Sequence, residues 1–555
     1  MISKMSLRNL MMWTVVRKRT INALPLVAAH REYNKYGGYD HRRYGKYTSY
    51  ALFSAVLIGS NLSDNNDSSP AKRKVDSAVE AGAKRPDLPT FRAEEVSKHN
   101  DTSSFWVTYK HGVYDVTSFL PSHPGGEQIL NAAGLSIEPF WNVYGMHKTN
   151  EIHQLLESYR IGNLHDDDVV DHSDEEMWVK EPYRDKRLLV KTARPFNAET
   201  PQEYLVEHFD TPNELFYVRQ HMPVPELDAR SHSLRVEVVD GGATATITRL
   251  SLDELRRFPQ TTVRAALMCA GNRRSEMNEV KEVKGLAWAG GAVGNAAWRG
   301  VLLRDVLLAC GVRDDDPDID SKHVILRGAD TDATGEQFST SIPLRQALAP
   351  AARVLLATHM NGAPLPPDHG RPLRAVVPGA PAVRSVKWLE SIRVSTEESG
   401  SHWHQRDYRS FGPSVTWSTA DWARAPPLYS LPVTAAACRP RDGERVRVRD
   451  GRVTLAGYAY SGGGAKIVRV ELSADGGRSW TEAALQSDSA PPREHYAWTL
   501  WSASVPVSSD ADSAEIWVKA TDSNFNTQPE RFDHIWNIRG ILSNAYHKIK
   551  VTLER

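Results

Sequence analysis

Two sets of residues in this 555-residue chain have the types and spacing to do chemistry. His123, in Ser122-His-Pro-Gly-Gly126, and His147 lie on either side of the apolar run Phe140-Trp-Asn-Val-Tyr144. Two imidazoles on separate elements could bind a haem iron from both sides. With both axial positions filled, no site is left for oxygen, and the group would pass electrons. Proline and paired glycines after His123 can make a tight turn that lets a flat ligand approach the backbone. The second set centres on Cys269, in Leu267-Met-Cys-Ala-Gly-Asn-Arg-Arg274. It closes an apolar run and precedes two arginines, and nearby positive charge favours the thiolate, which is the metal-binding form. On local grounds alone, a cysteine in such a run is usually a small core residue. Cys310, ending an apolar helix, and Cys438, in a polar connection, keep that reading.

The elements that must position these residues fall into three blocks. From Pro86 to Asn163 helix and strand signals alternate, with a short helix over Glu94–His99 and a strand over Phe105–Tyr109. From Arg194 to about Ser399 the pattern is mixed. Leu234–Val239 alternates as a strand, and Ser251 with Glu254 forms a capping box. Arg304–Cys310 reads as a helix ended by Gly311. These elements do not alternate as βαβ units, and neither a dinucleotide fingerprint nor a phosphate-binding P-loop is present. From about Pro432 the text is strand and turn: Val453–Tyr460, Ile467–Leu472, a hairpin turn at Ala474–Gly477, and Glu515–Ala520. That spacing predicts a β-sandwich of immunoglobulin type. The fold class expected is multidomain α+β, with an all-β C-terminal sandwich.

Composition narrows the class. Lys+Arg and Asp+Glu both number 68, and a chain with no net charge is not built mainly to grip nucleic acid. Three cysteines cannot make a disulfide framework. No run of 18 apolar residues occurs, so no stable membrane span is expected in the mature protein. Met1 to His30 carries five basic residues and no acid, the composition of a mitochondrial transit peptide. The short apolar run Tyr50–Gly59 follows, and the pair suggests sorting to the intermembrane space. Asp166 to Glu176 is an acidic run that reads as an extended spacer. The expected domains are a targeting and sorting segment (1–80), a haem domain (86–165), an acidic flexible linker (166–193), a catalytic domain (194–400), and a connection with a C-terminal sandwich (401–555).

Two resemblances sharpen this reading. Residues 88–164 resemble the cytochrome b5 domain through Phe91-x-x-Glu-Glu-Val96, Val113-Tyr-Asp-Val-Thr-x-Phe119, His123-Pro-Gly-Gly and Tyr159-x-Ile-Gly-x-Leu164. This implies His123 and His147 as axial ligands; His153 competes for the second place but fits the motif less well. Asn213-Glu-Leu-Phe-Tyr-Val-Arg219-Gln-His221, Cys269-Ala-Gly-Asn-Arg-Arg-Ser-Glu-Met277 and Lys284-Gly-Leu-Ala-Trp288 resemble the sulfite oxidase family. So do Asp368-His-Gly-x-Pro-x-Arg374, Arg384-Ser-Val-Lys387-Trp and His402-Trp-x-x-x-Asp407-Tyr408. Haem domain first and nothing after the C-terminal domain is that family's animal layout.

The resemblance implies Mo-molybdopterin and haem b, one of each per subunit, with Cys269 giving molybdenum its protein sulfur, as suits a soft redox metal. It implies a pocket in which Arg219, Arg274 and Arg539 bind a small oxyanion, with Trp288 and Tyr408 as walls and Lys284 among the catalytic residues. Planar guanidinium forks match such an anion. Tyr217, Val218, Arg219, Gln220, His221, Asp330, His369, Arg374, Ser385, Val386 and Lys387 map to pterin-holding positions. The implied reaction oxidises sulfite to sulfate with oxygen from water and passes electrons through the haem to cytochrome c. The implied assembly is a homodimer in the mitochondrial intermembrane space. Nitrate reduction and a haem carrier without molybdenum are the competing readings.

Overall fold

Period-two alternation of apolar and polar residues marks several of the strands. In the strand Ser104–Tyr109, Phe105 and Val107 turn inward while Trp106 and Thr108 face the other way. This strand pairs antiparallel with Gly112–Asp115, which in turn pairs with Arg160–Leu164. Thr90–Phe91 adds a parallel edge, and Asn100–Asp101 closes the other side of a five-stranded sheet. The helices Glu138–Val143 and Asn150–Glu157 pack on it around Phe105, Tyr114, Trp141 and Leu156.

The structure is a computed structural model that describes residues 80–555, apart from 124–125, 145–146, 173–177, 179–180, 241–242 and 333–334. The expected targeting segment, but for Glu80, therefore lies outside the described residues, as do Pro124 and Gly125 of the His-Pro-Gly-Gly turn. Among the described residues, no helix is long and apolar enough to cross a membrane.

The central module is built on two five-stranded sheets. One runs Ala243–Ser251, Ser233–Asp240, Leu389–Ser395, His323–Thr331, Gln337–Pro343, with a single parallel pair. The other runs Gln260–Met268, Val293–Leu302, Leu355–Met360, Ala363–Pro364, with Arg374–Val376 also on Leu355–Met360. A small third sheet of Leu189–Thr192, Asn197–Glu199 and Val218–Arg219 delivers Arg219. Both bonds of the Ser251–Glu254 capping box are formed, at 2.8 and 3.2 Å. The helix Leu303–Ala309 stops where Gly311 takes φ +93°, a left-handed conformation that costs glycine little.

The C-terminal module is a sandwich. Thr434–Arg439, Arg452–Tyr460, Thr499–Pro506 and Ala484–Gln486 form one sheet. Arg445–Arg447, His547–Glu554, Ser513–Asp522, Ile467–Ser473 and Thr481–Glu482 form the other, and one apolar core lies between them. Cys438 is not in a polar connection: it lies in the strand Thr434–Arg439, fully buried, and burial pushes its thiol far up. That strand is covered on both faces, so it shows no alternation from which its sequence could be recognised. All three cysteines are free and buried.

The modules join through apolar and polar contacts. Ala266, Met268 and Val293 of the central module share a cluster with Ala436, Tyr458 and Trp498 of the sandwich. Val143 of the N-terminal module belongs to the central core cluster, and Trp178 donates to the Asn142 carbonyl at 3.1 Å. The acidic segment is anchored over its described part. Asp166 pairs with Lys84 at 2.6 Å, Asp168 accepts from the Ala93 N–H at 2.8 Å, and Trp178 is buried. Like charge in a sequence does not keep a chain extended when cations and helix N–H groups are within reach.

Arg273 ties the central module to the sandwich from full burial. Its Nη1 donates to the carbonyls of Ala435 (3.2 Å) and Ala545 (2.8 Å), and Nε and Nη2 donate to Glu276 (2.7 and 2.6 Å). Arg273→Met should destabilise the protein by about 3 kcal/mol, because the carbonyls and the carboxylate lose their donor together. A thermal unfolding midpoint unchanged from the parent would contradict this.

Candidate active site

Cys269 is the first residue after the strand Gln260–Met268. Its N–H donates to the Ala292 carbonyl at 2.9 Å, which continues the pairing with Val293–Leu302 by one rung. The Gly271 N–H points at its Sγ, 3.5 Å away. The chain then turns, and Arg273 and Arg274 depart on opposite sides. Arg274 donates to the carbonyls of Gly540 and Leu286, both at 2.9 Å. Its guanidinium occupies room that side chains elsewhere would take: a Cβ at Gly271 or Gly285 would come within 2.5 or 2.6 Å of it. Burial lowers Arg274 to about 10, so it stays charged at neutral pH.

Cys269 opens into a cleft. Arg219, Tyr408, His221 and Phe338 share its lining. The Tyr408 phenol lies 3.3 Å from His221 Nε2, and the His221 ring stacks on Phe338 with centroids 5.1 Å apart. Burial and Arg219 push the His221 imidazole well below its usual range, so it is neutral, and burial raises the Tyr408 phenol. Asp407, next to Tyr408, takes the Arg539 guanidinium at 2.6 Å. Burial alone would raise Asp407, but Arg539 and His402 overcome it and hold the carboxyl well below the usual carboxylate range.

The far end of the cleft is charged and buried. Arg374 donates to the carbonyls of His369 and Ser385 at 3.0 and 2.9 Å, and Lys387 donates to the Asp368 carbonyl at 3.0 Å. The Ser385 hydroxyl accepts from the Val377 N–H at 2.9 Å. Burial lowers Lys387 and raises Asp330, whose Oδ1 lies buried without a protein partner. Gln220 Oε1 is likewise unpartnered. Buried polar atoms without partners mark a place where a polar group is expected to sit. A cleft with one thiol, several cations and two orphaned acceptors fits a pterin with a phosphate that brings most of the metal's ligands itself.

A second site lies in the N-terminal module. The rings of His123 and His147 are nearly parallel, 11° apart in plane, with centroids 6.3 Å apart. Two metal–nitrogen bonds of about 2 Å, plus the half-width of each ring, give a spacing of this size. His147 Nδ1 lies 2.9 Å from the Tyr144 carbonyl, which leaves Nε2 as the nitrogen for a metal. Burial pulls the His147 imidazole below its usual range, toward the neutral form that binds metal. His153 rests against Trp141 and within 3.4 Å of the Tyr109 hydroxyl.

Of the residues expected from sequence, Tyr217, Arg219, Gln220, His221, Cys269, Asp330, His369, Arg374, Ser385, Val386, Lys387 and Tyr408 line one cleft. Arg274, Arg539, Trp288 and Lys284 lie outside its lining. Trp288 is fully buried in the apolar cluster around Cys269, with its indole N–H unpartnered. The Val218 side chain packs into the small sheet with Leu188 and Ala198. Sequence reading passed over Arg184 and Asp368 as site residues. Arg184, in the acidic segment, forks onto Asp368 at 3.0 and 2.9 Å, and Gln220 donates to the same carboxylate at 2.6 Å. No local signal marks a pair 184 residues apart.

Three family models match the chain. They are the oxidoreductase molybdopterin binding domain (221–403), the Mo-co oxidoreductase dimerisation domain (425–554) and the cytochrome b5-like heme/steroid binding domain (92–165). The chain is 51% identical over 478 residues to the mitochondrial sulfite oxidase of Drosophila melanogaster, covering 84% of this chain and 82% of that protein. It is 45% identical over 465 residues to the human mitochondrial sulfite oxidase, covering 83% and 84%. The sulfane dehydrogenase SoxCD of Paracoccus pantotrophus shares the fold, with a TM-score of 0.53 and 23% identity over 68% of this chain and 89% of that one. The chain is thus a molybdenum oxidoreductase with Mo-molybdopterin and haem as cofactors.

His547 sits behind this site, fully buried beside Glu276 and Arg273. Its Nδ1 accepts from the Ala437 N–H at 3.0 Å, which requires the neutral ring. Burial pushes its imidazole down to about 4, against 6.5 when exposed. As pH falls through 6.5 the unfolded chain takes up this proton before the folded one does, so stability declines until about pH 4. Between pH 7 and pH 5 the loss should be about 2 kcal/mol from this residue. Urea midpoints at the two pH values, compared with those of His547→Gln, check it: the variant should show the shallower decline, and equal declines would contradict it.

Proposed function

The chain belongs to the sulfite oxidase family, and we propose that it oxidises sulfite to sulfate and delivers the electrons singly to cytochrome c. We place it as a homodimer in the intermembrane space, with the dimerisation-domain match and the transit-type leader as support. The observation that carries the reading is one chain holding both a thiol-centred cationic cleft and a pair of parallel histidines spaced for one metal ion.

When bound, the molybdenum cofactor supplies two-electron oxygen transfer with water as the oxygen source, and the haem supplies one-electron relay. The protein does the rest. Cys269 gives a soft sulfur ligand from a rigid position at a strand end. Arg219, Arg274 and Arg539 attract and orient the oxyanion, and each is already held by acceptors, so little ordering remains to be done on binding. Arg219 also donates to the Gln220 carbonyl, which fixes its fork toward the cleft. The Tyr408 phenol keeps its proton at neutral pH, because burial disfavours the phenolate, and it can donate to an oxygen beside Cys269. Neutral His221 stands 3.3 Å from that phenol as the next proton station. His369, Arg374 and Lys387 hold the phosphate end of the pterin.

Cys269→Ser should lower sulfite turnover by at least about 100-fold and leave the haem spectrum unchanged. Retained turnover would remove Cys269 from the site. His147→Ala should abolish cytochrome c reduction and spare sulfite oxidation by an artificial acceptor that takes electrons at molybdenum. An unchanged haem spectrum in that variant would overturn the ligand assignment.

A further inference from the structure

Two cations expected near the site meet on one indole: Arg539, implied to bind the oxyanion, and Lys284, implied among the catalytic residues. Lys284 Nζ lies 4.6 Å from the ring centroid of Trp417, and the Arg539 guanidinium carbon lies 5.8 Å from the same centroid. Both are within cation–π range. Trp417 comes from Ser410 to Thr419, a segment with one proline, three serines and two threonines that otherwise reads as plain loop. It is 42% exposed, a large aromatic surface left in water. A few residues on, the chain is braced: Trp422 sits edge-on to Phe411, with centroids 4.7 Å apart, and tilted against Trp417 at 6.0 Å. Phe411, Val415 and Trp422 pack on Met277, Val283, Trp536 and Ile538. These last four flank the chain that carries Arg274, Lys284 and Arg539, so the indole is fixed to the frame that carries the cations.

The arrangement solves an electrostatic problem. Burial disfavours the charged form of Lys284, the like charge of Arg539 adds to that penalty, and Glu282 offsets part of it. Asp407 compensates Arg539 on one side only, and the Arg539 Nε is buried without a protein partner. A carboxylate placed between the cations would cancel the field an anion needs. An aromatic face attracts cations through its quadrupole while adding no net charge.

We propose that Trp417 is a positioning residue for the oxyanion pocket: its ring holds Lys284 and Arg539 together on the solvent side, and so sets the affinity for sulfite and sulfate without touching the reacting atoms. This rests on the sulfite reading above.

The test uses the full-length holoenzyme, with rates normalised to molybdenum content, and two variants. Trp417→Phe keeps a π face; Trp417→Leu keeps apolar bulk and removes it. Trp417→Leu should raise KM for sulfite and the Kd for sulfate, measured by calorimetry on the oxidised enzyme, by roughly 2- to 30-fold with kcat nearly unchanged. Trp417→Phe should recover most of the loss. Equal behaviour of the two variants, or a fall in kcat with KM and Kd unmoved, would overturn the proposal. If the parent protein binds sulfate but does not oxidise sulfite, the sulfite reading fails, and the Leu–Phe difference in sulfate Kd still decides the role of Trp417.

Discussion

Arg273 and Arg274 come four and five residues after Cys269 and leave the chain in opposite directions. Arg273 takes φ +63°, a left-handed conformation that costs a non-glycine residue about 1–2 kcal/mol. That turn sends its side chain into the sandwich, where two carbonyls and Glu276 hold it. It leaves Arg274 free to reach back to Gly540 and Leu286, beside the cleft. The position of Cys269 is therefore set from three sides: the strand before it, the sandwich behind it and the return of the chain near Arg539. This gives the C-terminal module a role at the site as well as in the match to a dimerisation domain.

The second constraint is charge. The chain has no net charge, yet its cleft gathers arginines, a lysine and histidines at high burial. Each buried guanidinium is satisfied largely by carbonyl oxygens, which hydrogen-bond it without neutralising it. Burial keeps His221 and His369 uncharged and raises Asp330, so the nearby groups that would add or cancel charge are partly silenced. What remains is a positive field for an anionic cofactor and an anionic substrate, built at the expense of local stability, as functional sites commonly are.

Much of this was legible in the sequence, because it depends on short-range patterns. The capping box at Ser251, the glycine stop at Gly311 and the alternating strands are local signals, and the fold uses them as read. What escaped notice is long-range. Asp368 was visible in a motif, but its partners Arg184 and Gln220 come from two other parts of the chain. Trp417 looks like loop until Lys284 and Arg539 are folded against it. Asp166–Asp168 read as a self-repelling spacer, but Lys84, Arg92 and the Ala93 N–H capture those carboxylates. Cys438 was misplaced because a strand buried on both faces carries no alternation.

On the proposed function, the thiol cleft and the histidine pair are two ends of one electron path within a single chain. Anaerobic mixing of the molybdenum-loaded protein with sulfite, followed through the haem absorption, tests that most directly. Prompt haem reduction that depends on sulfite concentration and is lost without molybdenum is the expected result. A haem that stays oxidised in fully loaded protein would contradict it.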